Sequence, residues 1–318
     1  MNTALKSDLL LVLVTLLAAI SWMFSKEAVQ LMPPLLFMSV RFILAGAVLA
    51  SVSYKQLHAL SGADWLRSTR VGLVFGVAMC FWVTGLAAAS HVGEAAFLVS
   101  LGVVMVPIIA RVLFREAIPN STWFALPVAV AGLAFLSLGA PAETTDGNAL
   151  EIETAHILLF ISAVIFALYF NLNTRAANTA SSVLADGNRS ERARVPVLAL
   201  TTIVLAVVGL VTGLASALLE PWVQTLTRFN GELLWWVLLS ATVGTALRFL
   251  IQTYAQSLAA NSHGIVIMVL EPLWTALIAA AWFSESMSPS QLIGCVLVFL
   301  SLLVNRFKVI VRFFRTRR

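Results

Sequence analysis

Ten apolar runs, each about the length needed to cross a bilayer, set what this chain can fold into: 8–25, 35–53, 71–90, 94–114, 122–139, 156–173, 196–219, 233–256, 264–283 and 288–306. About 20 mostly apolar residues in a helix span the hydrocarbon core. In lipid each backbone N–H and C=O must be satisfied within its own segment, so helix is the expected state of every run. The runs are too long, and alternate too little, to be barrel strands. Composition agrees, since 60% of the 318 residues are apolar and only 11% charged, against about 25% charged in a soluble domain. The expected fold is an all-α polytopic membrane protein with ten transmembrane helices. Cys80 and Cys295 both fall inside apolar runs, where thiols pack as small hydrophobes rather than form a disulfide.

A net charge of +5 would suggest nucleic acid in a soluble chain, but in a membrane chain basic residues report topology first. With the N-terminus in the cytoplasm, Lys6, Lys55, Arg67, Arg70, Arg111, Arg115, Arg175, Arg189, Arg192, Arg194 and the tail (Arg306, Lys308, Arg312, Arg315, Arg317, Arg318) lie inside, 16 of 20 basic residues. Lys26 and Arg228 fall outside, and Arg41 and Arg248 within spans. The connection 140–155 carries Glu143, Asp146, Glu151 and Glu153 without Lys or Arg, which suits the outer side. The bias selects ten spans with both termini cytoplasmic, in a plasma membrane such as the bacterial inner membrane. The first run lacks a small-residue cleavage site and reads as a retained signal anchor. The basic tail reads as topology signal and contact for anionic lipid.

The stretch 261–285 sets Glu271 and Pro272 inside an apolar run. An ionisable residue there usually faces a bundle interior or a water-filled cavity, and a proline removes a backbone donor that neighbours must compensate. Leu113-Phe-Arg-Glu116-Ala-Ile-Pro119 echoes Trp282-Phe-Ser-Glu285-Ser-Met-Ser-Pro289: each ends an apolar run with Phe-x-Glu and a nearby proline, and the glutamates are 169 residues apart. Five spans precede the acidic connection and five follow it. An odd number per unit inverts the second unit relative to the first, a common transporter architecture with the substrate site near the midplane.

These residues carry a resemblance. Leu270-Glu271-Pro272-Leu-Trp-x-Ala-Leu, Phe-Ser-Glu285 and Gln291-Leu-Ile-Gly294 resemble the ninth and tenth spans of the drug/metabolite transporter superfamily, EamA-like branch. Arg41-Phe42 in the second span resembles it too, as do Val106-Pro107-Ile-Ile-Ala and Phe114-Arg-Glu116 in the fourth. The likeness covers roughly 8–306. Where the family often has glycine before the acidic residue, this chain has Arg115 and Ser284, and the loop 174–195 is long for the family. The resemblance implies export of amino acids, other metabolites or toxic compounds. The expected organisation is a first repeat at 1–140, an acidic extracytoplasmic linker at 141–155, a second repeat at 156–306 and a basic cytoplasmic tail at 307–318.

Candidate site residues follow from depth and periodicity. Arg248 lies about seven residues before the inner end of its span and Glu271 about seven after the start of the next, so both are about 10 Å deep on adjacent antiparallel helices. They can pair, either as a permanent clasp or as a gate that opens when Glu271 is protonated or Arg248 meets a substrate carboxylate. Thr245, Arg248, Gln252 and Gln256 share one helix face, and four polar residues in register suit a cavity wall better than lipid. Glu271, Trp274 and Thr275 share a face of the next span. Arg41 either binds an anionic group or snorkels outward toward Glu94. Trp22 and Trp82 lie within spans, whereas Trp222, Trp235 and Trp236 lie near boundaries and suit interfacial anchoring. Trp82 is open to a cavity role or to packing, as is Tyr169, which shares a face with Ser162, Phe166 and Asn173. His91 and His263 lack companion ligands and read as turn residues. Gly72-x-x-x-Gly76 and Gly209-x-x-x-Gly213 permit close helix approach.

No zinc-binding His-Glu-x-x-His helix, Gly-x-Ser-x-Gly elbow or glycine-rich nucleotide loop occurs, so the sequence offers no signature of an intramembrane enzyme or of direct ATP drive. A passive facilitator or channel is a rival, though neither a filter loop nor a ring of like charge is visible. The expectation is a secondary transporter without cofactor or metal, whose partners are a small-molecule substrate, membrane lipid and optionally a second copy of the chain, but not nucleic acid.

Overall fold

The structure, a computed structural model, describes residues 3–29, 31–88, 92–116, 118, 120–138, 149–178, 180–183, 189–192, 194–221, 231–258, 267–268, 270–283, 288–290, 292–294, 296–297, 299–301 and 304. Its elements are α1 (Thr3–Val29), α2 (Pro34–His58), α3 (Gly62–Ala88), α4 (Val92–Phe114), α5 (Asn120–Leu138), α6 (Ala149–Ala177), β1 (Ala180–Val183), β2 (Arg189–Arg192), α7 (Val197–Leu219), α8 (Gly231–Ala241), a π-helical segment (Thr242–Leu247), α9 (Arg248–Leu258) and α10 (Leu270–Phe283). Among the described residues six helical stretches are long and apolar enough to cross a membrane: Leu5–Ser25, Pro34–His58, Gly62–Leu86, Thr154–Ala177, Val197–Leu219 and Gly231–Leu258. Shorter apolar helical stretches cover Leu98–Phe114 and Leu292–Ser301. The protein is thus polytopic and helical across the membrane.

Two helix groups and a seam organise the packing. α1 packs on α8, the π segment, α9 and α10, whereas α6 packs on α3 and α4. Between them α7 lies along α2 and α3. Glycines allow that approach: a Cβ on Gly72 would stand 2.7 Å from Val207, and one on Gly209 would stand 2.8 Å from the backbone nitrogen of Ile43. Polar bonds also close the seam, from Ser39 Oγ to the Gly209 carbonyl (2.9 Å) and between the hydroxyls of Ser53 and Thr202 (3.0 Å). α2 begins with Pro34, which lacks a donor where a helix start needs none. The next two N–H groups, of Leu35 and Leu36, donate to Glu220 at the end of α7, each at 2.8 Å.

Three expectations are corrected. The loop 174–195 contains an antiparallel hairpin, with Ala180 opposite Arg192 and Val183 opposite Arg189, so the all-α description holds for the spans and not for this connection. The span 233–256 is not one regular helix but is interrupted by the π segment. Finally, α10 starts at Leu270, so Pro272 sits in a first turn where no intrahelical donor is required, and nothing has to compensate it. Arg115, standing where the family often has glycine, adopts φ 54°, a left-handed conformation that costs an L-residue about 1–2 kcal/mol and that glycine adopts freely.

Candidate functional site

The site grows out of the π segment. Thr245 Oγ1 donates to the Ser240 carbonyl five residues back (2.8 Å), the spacing of a π turn. The extra residue rotates everything after it by about 100° relative to an uninterrupted helix. Arg41 of α2 reaches into this segment, its Nε donating to Thr245 Oγ1 (2.5 Å) and Nη2 to the Gly244 carbonyl (3.4 Å). Its remaining bonds go to Ser25 Oγ (2.8 Å) and Ser21 Oγ (2.9 Å) on α1. The guanidinium is stacked near Phe37 and Phe42 and the residue is 5% exposed. Arg41 therefore does not snorkel outward; the hydroxyl pocket satisfies its fork and draws it inward. The side chain of Glu94 lies outside the described residues.

One turn beyond, Arg248 Nη2 meets Glu271 Oε2 at 3.1 Å, with the two side chains 13% and 22% exposed. The other carboxylate oxygen accepts Trp22 Nε1 at 3.2 Å. Glu271 occupies the first turn of α10, where the unsatisfied N–H groups favour a negative charge. Trp22 in turn meets Trp82 of α3 edge to face, with ring centroids 5.0 Å apart. One carboxylate thus connects α9, α10 and α1, and through Trp22 reaches α3 in the other helix group.

The rest of the polar face is closed off from lipid. Thr245, Gln252 and Gln256 are fully buried. Gln256 Oε1 accepts from Asn173 Nδ2 of α6, which also bonds Thr253 Oγ1 (3.3 Å), and Asn178 Nδ2 donates to the Gln256 carbonyl (2.8 Å). Gln252 faces the Tyr169 hydroxyl, yet neither of its amide atoms makes a well-formed hydrogen bond, and Arg248 Nε and Trp274 Nε1 are likewise unpartnered. Among the described residues no group of three or more His, Cys, Asp or Glu is placed to hold a metal ion.

With this geometry in view the comparisons with known proteins fall into place. The EamA-like transporter family matches residues 5–138 and again 153–307. The chain belongs to the EamA-like transporter family. An uncharacterised transporter of Archaeoglobus fulgidus is 23% identical over 305 residues, 96% of this chain and 87% of the relative. A solved crystal structure superposes with a TM-score of 0.72, covering 94% of this chain and 96% of that one at 19% identity, a shared fold. This EamA-like protein is therefore an integral membrane transporter whose substrate is a small molecule.

Of the residues expected to form the transporter's site, Arg41, Arg248, Glu271 and Gln252 gather around α9, and Trp82 joins them through Trp22. Trp274 sits one turn after Glu271 on α10. Tyr169 meets the site through its hydroxyl, which faces Gln252, while its ring is 1% exposed and stacks on Phe75 with centroids 4.0 Å apart, among Phe42, Phe166 and Phe249. Trp22 is the residue that sequence reasoning left unassigned, along with Ser21 and Ser25. Their signals were a tryptophan inside a span rather than at its boundary, and two hydroxyls one turn apart on α1. Glu116 pairs with Arg175 of α6 at 2.7 Å, while Arg175 covers the Phe114 ring, a scaffold contact. Glu285, His91, His263, Trp222 and the tail 307–318 lie outside the described residues.

Proposed function

We propose that this transporter is a secondary exporter of small organic metabolites, such as amino acids, or of amphipathic toxic compounds, working by alternating access across the plasma or bacterial inner membrane. Ten spans in two inverted five-helix repeats, 1–140 and 156–306, carry the cycle, with both termini cytoplasmic. The packing supports an inverted repeat. Exchanging α1 with α6, α2 with α7, α3 with the α8–α9 pair and α4 with α10 turns the contacts of α1 with α9 and α10 into those of α6 with α3 and α4. The α2–α7 contact maps onto itself. The separate family matches at 5–138 and 153–307 support the same division. Leu210, Leu214 and Leu218, exposed by 65%, 66% and 76% in a row along α7, suit lipid as the partner of the outer faces; a homodimer would use surface of the same kind.

The observation that carries the reading is the position of the Arg248–Glu271 pair on a junction between the two helix groups, with Trp22 as its link to Trp82. Rocking one group against the other must break or repack this junction. Arg248 and Glu271 form the gate, and Gln252, Trp274, Trp82, Tyr169 and Arg41 line or set the cavity. The test is flux in proteoliposomes for wild type and Glu271→Gln, with and without a pH gradient. Flux falling roughly tenfold is expected, because removing one member of this partly buried pair costs about 2 kcal/mol and shifts the balance between states. Unchanged flux would remove the pair from the transport cycle, and unchanged gradient dependence would remove any proton role for Glu271.

A further inference from the structure

Among the described residues, charge around the gate does not balance. Arg41 and Arg248 repel each other across this core, and the described residues bring one carboxylate, Glu271, between α9 and α10 to meet them. Arg41 is satisfied in hydrogen bonds but not in charge, because its partners are the hydroxyls of Thr245, Ser25 and Ser21 and the Gly244 carbonyl, all neutral. Glu271 has little left to offer, since Oε2 is taken by Arg248 and Oε1 by Trp22. Two guanidiniums against one carboxylate leave a surplus positive charge, and a charge withdrawn from water ordinarily requires a partner.

Hydrogen-bonding capacity is unbalanced in the same direction. Arg248 Nε and Trp274 Nε1 are buried donors without acceptors, and Gln252 Nε2 has no well-formed bond although the Tyr169 hydroxyl faces it; each lies on the ion pair's own residues or within one helical turn of them. Against these three donors stands one open acceptor, Gln252 Oε1. Gln252 is 0% exposed, so its amide is closed to the surface in this conformation. The rings of Trp22 and Trp82, edge to face beside the ion pair, supply apolar surface there.

We propose that the site binds an organic monoanion: a carboxylate head received by Gln252 Nε2, Trp274 Nε1 and Arg248 Nε, and an aromatic or apolar body set against the tryptophans, with no ammonium group. This rests on the transport reading above and narrows its substrate class. A zwitterion would bring an ammonium whose natural partner, Glu271, is already engaged twice. A lipophilic cation could use the indole faces but would meet two guanidiniums. Arg41 acts here through its field, with its fork committed elsewhere, while Gln252 and Trp274 are the direct ligands.

The experiment varies charge on one scaffold. The full-length protein in detergent is titrated calorimetrically at pH 7 with phenylacetate, phenylacetamide, phenylalanine and benzyltrimethylammonium, and flux of each is followed in proteoliposomes. Phenylacetate is expected to bind roughly tenfold or more tighter than its neutral amide, with phenylalanine and the cation no tighter than the amide, since a site with fixed donors rejects analogues that leave them unpaired. Gln252→Leu should weaken phenylacetate by roughly tenfold. Arg41→Gln should narrow the preference of anion over amide, and Arg41→Lys, which keeps the charge, should preserve it. If the Arg41 variants do not fold, the four-compound series and Gln252→Leu decide alone. Phenylalanine or the cation binding as tightly as phenylacetate would overturn the proposal, as would undiminished phenylacetate binding by Gln252→Leu, or no phenylacetate binding at millimolar concentration. Flux of the other compounds without preference for the anion would sink this proposal and leave the transport reading standing. Phenylacetate binding without flux of any compound would do the reverse.

Discussion

The α2–α7 seam and the α9–α10 site both bury polar groups, and they treat them in opposite ways. In the seam every such group named above closes a bond within the protein: Ser39 with the Gly209 carbonyl, Ser53 with Thr202, and Glu220 with two backbone N–H groups and with Ser216 Oγ at 2.7 Å. Around Arg248 three donors and an amide oxygen remain open. A buried polar group left unmade costs about 1–3 kcal/mol, so the seam resembles a joint that stays shut and the site resembles one completed by something else. The contrast teaches that burial alone does not mark a functional polar residue. What separates Gln252 from Ser53, both fully buried, is whether its bonds are closed.

The comparison can be broken, from the largest expected effect downward. Gly209→Val should cost about 3 kcal/mol through overpacking, since even the first side-chain carbon would stand 2.6 Å from Ile43 Cγ1; thermal unfolding in detergent that is unaffected would show the seam to be looser than it looks. Arg248→Ala should cost about 2 kcal/mol, less than for a fully buried pair because both partners keep some exposure. The charge-reversed double variant, Arg248→Glu with Glu271→Arg, should regain part of that stability without regaining flux. Recovery of both would reduce the pair to a clasp. Glu220→Ala strips the cap from α2 and should lower stability by about 1–2 kcal/mol, with flux of the surviving folded protein near normal. Smallest of all, Gln252→Leu should change unfolding by less than about 1 kcal/mol, because replacing an unsatisfied amide with an apolar group is nearly neutral, while flux drops. A large loss of stability there would place Gln252 with the seam residues.

Much of the fold was legible in the sequence because it follows from local composition. Apolar runs named the spans, and the helices α1, α2 and α7 agree with them to within about five residues, whereas α3 and α6 begin further upstream, at Gly62 rather than 71 and at Ala149 rather than 156. Depth arithmetic on Arg248 and Glu271 anticipated a contact that the structure makes at 3.1 Å. The glycine pairs named a close approach, though not which helices meet there. Trp22 was invisible as a partner of Glu271 because nothing local distinguishes it from any tryptophan in a span; 249 positions separate the two residues. The inward turn of Arg41 was equally hidden, since it depends on hydroxyls of α1 and on Thr245, 204 residues away.

What the sequence determined by itself was therefore membership of the membrane and the helical state of its spans, both properties of about 20 neighbouring residues against the bilayer. What only the tertiary structure decided was which donors meet which acceptors. The π segment shows why. Its extra residue is held by Thr245 bonding Ser240 and by Arg41 arriving from α2, and it rotates Arg248, Gln252 and Gln256 by about 100°. That rotation sets which neighbours the polar face meets, and so which of its bonds close and which stay open, and no periodicity written into the chain announces it.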